Sequence, residues 1–213
     1  GESLHTLFSY FDLISLPWKK LDEDCFDEVV IGEDAFAFAN KHQRFYERMS
    51  ARFPKEREGL KKYVDFLKQV GDHIFDSFNL QNEGTFTNSL FARSAYEFLN
   101  ETIKDPLLRK VLSGTSLKME LNAPTLPLYT FAQINDSFIR SAWRLRGGGM
   151  QIADKLVGGI QTMGGEVKTR SIVTYVKEED GKVVGVTIND EDYLEADWII
   201  SSTHPAYTVS LVG

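Results

Sequence analysis

The most constraining feature of this sequence is an abrupt change in composition near residue 140. All fifteen phenylalanines lie at or before Phe138, whereas nine of the sixteen glycines fall between Gly147 and Gly185. Large aromatic side chains are typical of a packed core, and glycines are typical of turns and of close backbone approaches. We therefore predict two architectures in one chain, a helical and aromatic-rich part over 1–140 and an α/β part over 141–213.

Composition and charge restrict the classes of function. A chain of 213 residues, 42% of them hydrophobic, can bury one or two real cores. Its net charge of −7 and its sequence without a Lys/Arg cluster do not provide the electrostatic footprint of nucleic-acid binding. One cysteine, Cys25, and four scattered histidines offer no disulfide and no metal-ligand spacing. We expect no nucleic-acid partner, no metal, and a cytoplasmic location, with peripheral membrane contact of the parent protein left open.

Residues 1–140 carry strong local signals. Alternating apolar residues at 29–31 and 36–38, around a Gly32 turn, predict a hairpin, and helical spacing from Leu60 to Phe78 predicts a long helix after Pro54. Shorter helices are predicted over 41–52, 86–101, 105–113 and 125–139, the last with Leu128, Phe131, Ile134 and Phe138 inward. The phenylalanines themselves either pack as a core or line an apolar substrate tunnel, and the core interpretation is favoured.

Residues 141–213 read as a glycine loop, a helix and a set of strands. The triple glycine at 147–149 leads into an apolar helical stripe from Met150 to Met163, which Gly164-Gly165 ends. Strands are then predicted at 167–169, 172–177, 183–188, 193–194 and 198–200, the middle three as a meander and the last as a buried central strand. The glycine loop either cradles a phosphate or forms a close-packed helix entry, and the second is favoured because no nucleotide fingerprint is matched.

Two further residues have reactive side chains. His204 follows the predicted last strand, where open α/β sheets place ligands, but such histidines are mostly loop residues. Cys25 follows the acidic run 22–24, which is expected to raise the pKa of its thiol and to make a nucleophilic role improbable.

Four segments of the second part resemble a known family. They are Arg146-Gly-Gly-Gly-Met-Gln-Ile-Ala-Asp-Lys-Leu, Gly164-Gly-Glu-Val-Lys-Thr-Arg-Ser-Ile-Val-Thr-Tyr-Val, Asp180-Gly-Lys-Val-Val-Gly-Val-Thr-Ile and Ala196-Asp-Trp-Ile-Ile-Ser-Ser-Thr-His-Pro. Their residues and their order over 141–208 are similar to the phytoene desaturase, carotenoid isomerase and retinol saturase family of FAD-dependent, amine-oxidase-like flavoproteins. Phe11-Asp-Leu-Ile, Phe53-Pro-Lys-Glu and Asp105-Pro-Leu-Leu-Arg-Lys-Val-Leu resemble its substrate region more weakly.

The resemblance implies a fold, a cofactor and a substrate class. Residues 1–140 would form a substrate domain of helices and a small mixed sheet, and 141–213 part of a Rossmann-like, doubly wound FAD-binding domain. The parent protein would desaturate, saturate or isomerise an apolar, isoprenoid- or carotenoid-like substrate by hydride chemistry at the flavin. Carried over from the family, cofactor contacts fall near the flavin at Gly148, Gly149 and Met150, at the adenine end at the backbone of Val173, and along the adenosine at Ser202 and Thr203. No catalytic residue is implied.

The sequence departs from the family at both ends. It opens on Gly1 rather than Met, and it contains neither the family's G-x-G-x-x-G nor its carboxyl-terminal flavin segment, so it reads as an internal piece. We expect this piece alone to retain no FAD and to be inactive, and we expect Gly148, Val173 and Thr203 to share a cleft. Two alternatives stay open, a non-catalytic lipid- or partner-binding module and an amine-oxidase-type flavoenzyme.

Overall fold

The change of composition is accompanied by a change of architecture. The computed structural model describes residues 2–73, 85–119 and 125–212, which divide into a first unit, Gly1–Ile152, and a second unit, Ala153–Gly213. The first unit contains α1 (Glu2–Tyr10), β1 (Trp18–Lys20), β2 (Asp27–Ile31), β3 (Asp34–Phe38), α2 (His42–Arg52), α3 (Arg57–Asp72), α4 (Thr85–Phe91), α5 (Ala95–Thr102), α6 (Pro106–Leu112), α7 (Leu128–Arg140) and β4 (Trp143–Leu145). Helix α8 (Met150–Thr162) runs into the second unit, which continues with β5 (Val173–Glu179), β6 (Lys182–Ile188), β7 (Asp192–Glu195) and α9 (Pro205–Ser210).

These elements make an α+β protein, one of the two fold classes, α+β and α/β, that the sequence predicts. Single turns of 3₁₀ helix at Leu13–Ser15, Pro54–Glu56 and Gly114–Lys118 join some of them. Strands pair as β1 with β4, β2 with β3, and β5-β6-β7, and all of these pairings are antiparallel. The expectation of a small mixed sheet is therefore wrong for the described residues. The assignment of 1–140 to a substrate domain and of 141–213 to a cofactor domain stays a prediction.

The predicted hairpin and the aromatic core are confirmed. Strands β2 and β3 place Val29 opposite Phe36, and the turn between them uses Gly32 at a φ of +64°. Alternation turns Phe36 and Phe38 inward, where both are buried. The ring of Tyr63 on α3 lies among the rings of three buried phenylalanines, Phe45, Phe98 and Phe131. These rings fill a core, so the core interpretation holds for them.

The helices differ from the prediction in three places. The segment predicted as one helix over 86–101 is two helices, because the Ser94 hydroxyl accepts the Tyr96 N–H and caps α5 while its backbone is extended. Helix α7 begins at Leu128, directly after Pro127, and its residues Ile134 and Phe138 are only partly buried. The end of the predicted long helix, with Ile74, Phe75 and Phe78, and the residue Pro124 lie outside the described residues.

The buried face of α7 carries charged side chains as well as apolar ones. The carboxylate of Asp136 is 4% exposed, its Oδ1 lies 2.7 Å from His42 Nε2, and its Oδ2 accepts a 2.5 Å hydrogen bond from Arg140 Nε. Arg140 also donates to Asp72 on α3 at 2.6 Å. A Cβ on Gly71 would lie 1.8 Å from Asp136 Oδ2, so α3 approaches this network closely enough to require glycine. The network therefore joins α2, α3 and α7.

A two-stranded ribbon that the sequence analysis did not predict joins distant parts of the first unit. Strand β1 pairs antiparallel with β4, and the register places Trp18 opposite Leu145, Lys19 opposite Arg144, and Lys20 opposite Trp143. The Arg146 N–H donates to the Pro17 carbonyl at 3.2 Å and extends this pairing by one residue. The ribbon leads directly into the glycine loop at 147–149.

The meander of the second unit is confirmed, and the two strands that flank it in the prediction are wrong. Strands β5, β6 and β7 pair in sequence order. Residues 167–169 and 198–200 form no strand, and Trp198 and Ile200 are 89% and 97% exposed. A central strand needs a hydrogen-bonding neighbour on each side, and the described residues offer 198–200 none. The parallel, doubly wound sheet is accordingly not seen in the described residues.

Helix α8 matches its predicted ends, and its apolar stripe is largely exposed. It begins directly after the glycine loop, and Gly164 follows it at a φ of +86°, the left-handed conformation of a glycine that ends a helix. None of its residues is buried, and Met150 and Met163 are 70% and 82% exposed. Ile152, Leu156 and Val157 are of intermediate exposure, so the described residues cover the apolar stripe of this helix only in part.

Candidate functional site

The glycine loop is an open turn with exposed backbone. Gly147 and Gly148 have φ values of +86° and +95°, a conformation that favours glycine. The Gln151 amide donates to the carbonyls of Arg146 at 2.6 Å and Gly148 at 3.0 Å and so holds the loop against the first turn of α8. Among the described residues, no atom lies within 4 Å of a Cβ built on Gly148 or Gly149. The favoured interpretation, a close-packed helix entry, is therefore wrong for these two glycines.

A positively charged depression adjoins this loop. Its volume is about 410 Å³, and it is lined by Lys19, Leu21, Arg144, Leu145, Arg146 and Gly147. Because side chains alternate along a strand, Arg144 and Arg146 lie on one face of the ribbon, and the register puts Lys19 directly opposite Arg144 on that face. We call the surface of Lys19, Arg144 and Arg146 the cationic face.

The cationic face was missed by the sequence analysis. Lys19 and Arg144 lie at opposite ends of the first unit, so no window of the sequence shows them together. The alternation of Arg144 and Arg146, with an apolar residue between them, was the one available signal of a strand with a charged face. Recognising it as a site required the pairing with β1.

The site residues predicted in the second unit lie on the meander and on the segment before α9. Val173 begins β5, is partly buried, and packs on a small cluster of Val176, Val186 and Ile188. Ser202 and Thr203 are exposed, in the segment that precedes α9.

A ring of three hydroxyls fixes the conformation of this segment. The hydroxyls of Ser201, Thr203 and Thr208 lie 2.8–2.9 Å from one another. The Thr203 hydroxyl is therefore engaged locally, and the Thr203 N–H donates to Ser201 Oγ at 3.3 Å, which leaves the backbone carbonyl as the group that can approach a ligand. Gly148, Gly149 and Met150 belong to the first unit and Val173, Ser202 and Thr203 to the second, so the shared cleft stays a prediction.

His204 and Cys25 have structural surroundings rather than reactive ones. His204 Nδ1 accepts the Ala206 N–H at 3.2 Å and so caps α9. Partial burial and, after it, the Glu28 carboxylate raise the pKa of the Cys25 thiol, with smaller contributions from Asp22 and Asp27. The predicted direction of this shift is confirmed, and a raised pKa leaves less of the reactive thiolate at neutral pH.

The described residues contain neither a metal-ligand cluster nor a helix that could cross a membrane. No group of three His, Cys, Asp or Glu residues within 2–73, 85–119 and 125–212 is placed to hold a metal ion. No helix in that part of the chain combines the length and the apolar character needed to cross a membrane.

Comparison with known proteins places the chain near one group of enzymes. No protein-family model matches it. It is 26% identical over 213 aligned positions to a Danio rerio protein named all-trans-retinol 13,14-reductase, a match that covers 87% of this chain and 34% of that protein. It is 25% identical over 174 positions to the Rattus norvegicus protein of the same name, covering 74% of this chain and 29% of that protein. The chain thus spans about a third of the length of the curated relatives it matches, and both are distant homologues.

Proposed function

We propose that this chain is part of an FAD-dependent oxidoreductase that acts on an apolar, isoprenoid-like substrate. One observation carries the proposal, the match to proteins named all-trans-retinol 13,14-reductase over 87% of the chain. A match of that coverage necessarily runs through both units, because the first unit alone is shorter than the matched part. The related proteins are named for reduction of a polyene alcohol, and saturation is therefore the reaction direction that we favour for the parent protein.

The residues of this chain would form one wall of the cofactor site. In the proposal, the open backbone of Gly148 and Gly149, together with Met150, lies against the flavin ring, and the backbone of Val173 contacts the adenine end. Ser202 and Thr203 border the adenosine. The geometry of the loop supports this assignment, since the two glycines are exposed and no side chain among the described residues occupies the space beside them.

In this proposal the cofactor and the residues of the chain have separate roles. When bound, FAD supplies the hydride transfer, and the protein supplies position and surroundings. Gln151 holds the loop carbonyls inward, which fixes the glycine backbone against a planar ligand. The Met150 side chain, 70% exposed, is free to cover an apolar ring and to exclude water from it. No proton transfer is assigned to a side chain of this chain.

The two alternatives are supported less well. An amine oxidase binds a cationic substrate, and the charged depression beside the loop carries three cations rather than carboxylates. A lipid-binding module in the helical part would need an apolar groove, and the aromatic rings of that part are packed against one another in a core.

The test uses the complete natural protein that contains this chain. Purified protein is expected to show the visible absorbance of bound flavin and, with a reductant under anaerobic conditions, to convert all-trans-retinol into a product two hydrogens heavier, measured by chromatography and mass spectrometry. Gly148→Val is expected to lose most of the flavin, because valine does not tolerate the φ of +95° and would fill the space beside the loop. Gly181→Val, at a turn of the meander with a φ of +75°, is the matched control for strain alone. A complete protein that binds no flavin would refute the proposal.

A further inference from the structure

We propose that the cationic face, formed by Lys19, Arg144 and Arg146, binds a diphosphate group. The proposal rests on the first unit alone, and its test measures pyrophosphate binding rather than flavin binding, so either proposal can fail while the other stands. No ligand of this kind follows from the names of the related proteins.

The first observation is that the ribbon places two cations directly opposite each other. Lys19 and Arg144 are direct cross-strand neighbours in the ribbon, where opposed side chains lie within about 5.5 Å at Cβ. Like charges in that position destabilise a sheet. In residues 2–73, 85–119 and 125–212, no carboxylate forms an ion pair with Lys19, Arg144 or Arg146 that would offset the repulsion. A bound anion would remove this repulsion.

The arginines elsewhere in the first unit show the contrast. Arg52 pairs with Asp34 at 3.0 Å, and Arg140 pairs with both Asp72 and Asp136. Arg44 pairs with Glu23 at 3.1 Å. Arg48 and Arg109 instead donate to backbone carbonyls, so what distinguishes the cationic face is that its three cations line one depression.

The second observation is the shape of the surface around these charges. The three cations line a concave depression of about 410 Å³ rather than a flat surface, and Gly147 forms part of its wall. A diphosphate occupies only part of such a volume, so the remainder can receive the group to which the diphosphate is attached. Leu21, two residues after Lys19 and therefore on the same face, lines the depression and offers apolar contact to that group.

The number and type of the cations select the ligand. A single carboxylate carries one charge, which one arginine can satisfy with two parallel hydrogen bonds. Two guanidinium forks and an ammonium match the several oxygens and the multiple charges of a diphosphate. Two sources share this chemistry, the ester of an isoprenoid alcohol and a nucleotide such as the adenosine diphosphate half of a dinucleotide.

The experiment measures binding of inorganic pyrophosphate to the 213-residue chain by calorimetry at low ionic strength. Wild type is expected to bind, and Arg144→Gln and Arg146→Gln are each expected to weaken binding at least tenfold. Arg57→Gln, which removes an exposed arginine of α3 outside the depression, is the matched control and is expected to bind as wild type. Undetectable binding by wild type, or equal weakening by Arg57→Gln, would overturn the proposal.

A second measurement separates lost binding from lost folding. Without ligand, Arg144→Gln is expected to melt at or above the wild-type temperature, because the substitution removes the repulsion with Lys19. Pyrophosphate is expected to raise the melting temperature of wild type and to leave that of the variant unchanged. An Arg144→Gln protein that melts lower and still responds to pyrophosphate would contradict the assignment.

Two larger ligands then distinguish the sources. Farnesyl diphosphate that binds at least tenfold tighter than pyrophosphate, with the gain lost in Leu21→Ser, indicates an isoprenoid ester. ADP that binds at least tenfold tighter indicates a nucleotide. Either result supports a diphosphate site, whereas binding of both that is unchanged in Arg144→Gln and Arg146→Gln would refute it.

Discussion

The two units of this chain differ most in what stabilises them. In the first unit, buried apolar residues of β3 and of helices α2, α3, α5, α6 and α7 form one continuous core. Within the described part of the second unit, the buried hydrophobic residues are Val176, Val186 and Ile188 of the meander. The first unit is therefore stabilised mainly by burial, and the second depends on the hydrogen bonds of a local three-stranded sheet. Both units contain regular secondary structure, and they differ in how much apolar area they bury.

The same difference is visible in the apolar residues that remain exposed. In the second unit, Trp198 and Ile200 are almost fully exposed, and Tyr193 and Leu194 of β7 are half exposed. In the first unit, residues of comparable size, such as Tyr63 and Phe45, are fully buried. An apolar sequence pattern thus produced a core in one unit and an uncovered surface in the other.

The largest expected effect is the loss of a core ring from the first unit. Phe131→Ala removes a side chain that is 0% exposed and is expected to lower the free energy of unfolding by about 3–5 kcal/mol. Val186→Ala in the second unit removes two methyl groups from a small cluster and is expected to cost about 1–2 kcal/mol. Hydrogen exchange measured on peptides of each unit would locate each loss.

Two exposed substitutions calibrate that comparison. Val30→Ala, at a residue that is 62% exposed, and Met163→Ala, at one that is 82% exposed, are each expected to change stability by about 0.5 kcal/mol or less. Equal losses for Phe131→Ala and Val186→Ala would show that the units do not differ in the way their burial indicates.

Two glycine substitutions, one in each unit, are expected to change stability in opposite directions. Gly71→Ala in α3 would bring a methyl group against Asp136 and disturb the ionic network that joins three helices, at an expected cost of about 2–4 kcal/mol. Gly158→Ala in α8 meets no atom of the described residues within 4 Å and is expected to stabilise the protein by about 0.5–1 kcal/mol. Thermal unfolding of the two variants should move in opposite directions, and a shared direction would show that one of these environments is misassigned.

The smallest expected effects concern pH, and they have opposite signs in the two units. A hydrogen bond from Arg140 holds the pKa of Asp72 below its usual range. This contribution is present above the ordinary pKa of an aspartate and is lost as the pH falls through the lowered one. A hydrogen bond to Glu179 raises the pKa of Lys177, so its contribution is present below the ordinary lysine pKa and is lost as the pH rises through the raised one.

Two neutral variants would measure these contributions. Asp72→Asn should reduce stability at neutral pH, with the difference from wild type closing in acid. Lys177→Met should do the same, with the difference closing in alkali. Both effects should be small because the side chains are about half exposed, and both should shrink at high salt.

The sequence predicted those parts of the fold that depend on local signals. The hairpin followed from alternation around Gly32, and α6 followed from Asp105 and Pro106, which the structure confirms as its cap and first residue. The pairing of β1 with β4 was missed because each strand has three residues, too few for a periodicity to be recognised. The prediction of a central strand at 198–200 was wrong because hydrophobicity indicates a tendency to be buried but does not show that a neighbouring strand is present.

The features of the candidate site also differ in whether the local sequence predicts them. The positive φ of Gly147 and Gly148 is a local property, and a run of three glycines before a helix indicates it. The meeting of Lys19 with Arg144 is a property of the tertiary fold, and no local pattern contains it. A ligand shared by the glycine loop and Val173 would require a particular placement of the two units, and sequence periodicity does not report such a placement.

The ribbon that carries the cationic face also affects the order in which the protein is made. Its β1 strand is synthesised before the helical core, and its β4 partner follows only after α7 has been synthesised. Contacts between such distant segments form slowly, because a long loop must close before they are gained. The helical core can thus assemble during translation while β1 waits, and the three charges first come together when almost the whole first unit has emerged. A nascent chain stalled before Trp143 would consequently contain all the helices of the core but only Lys19 of the cationic face.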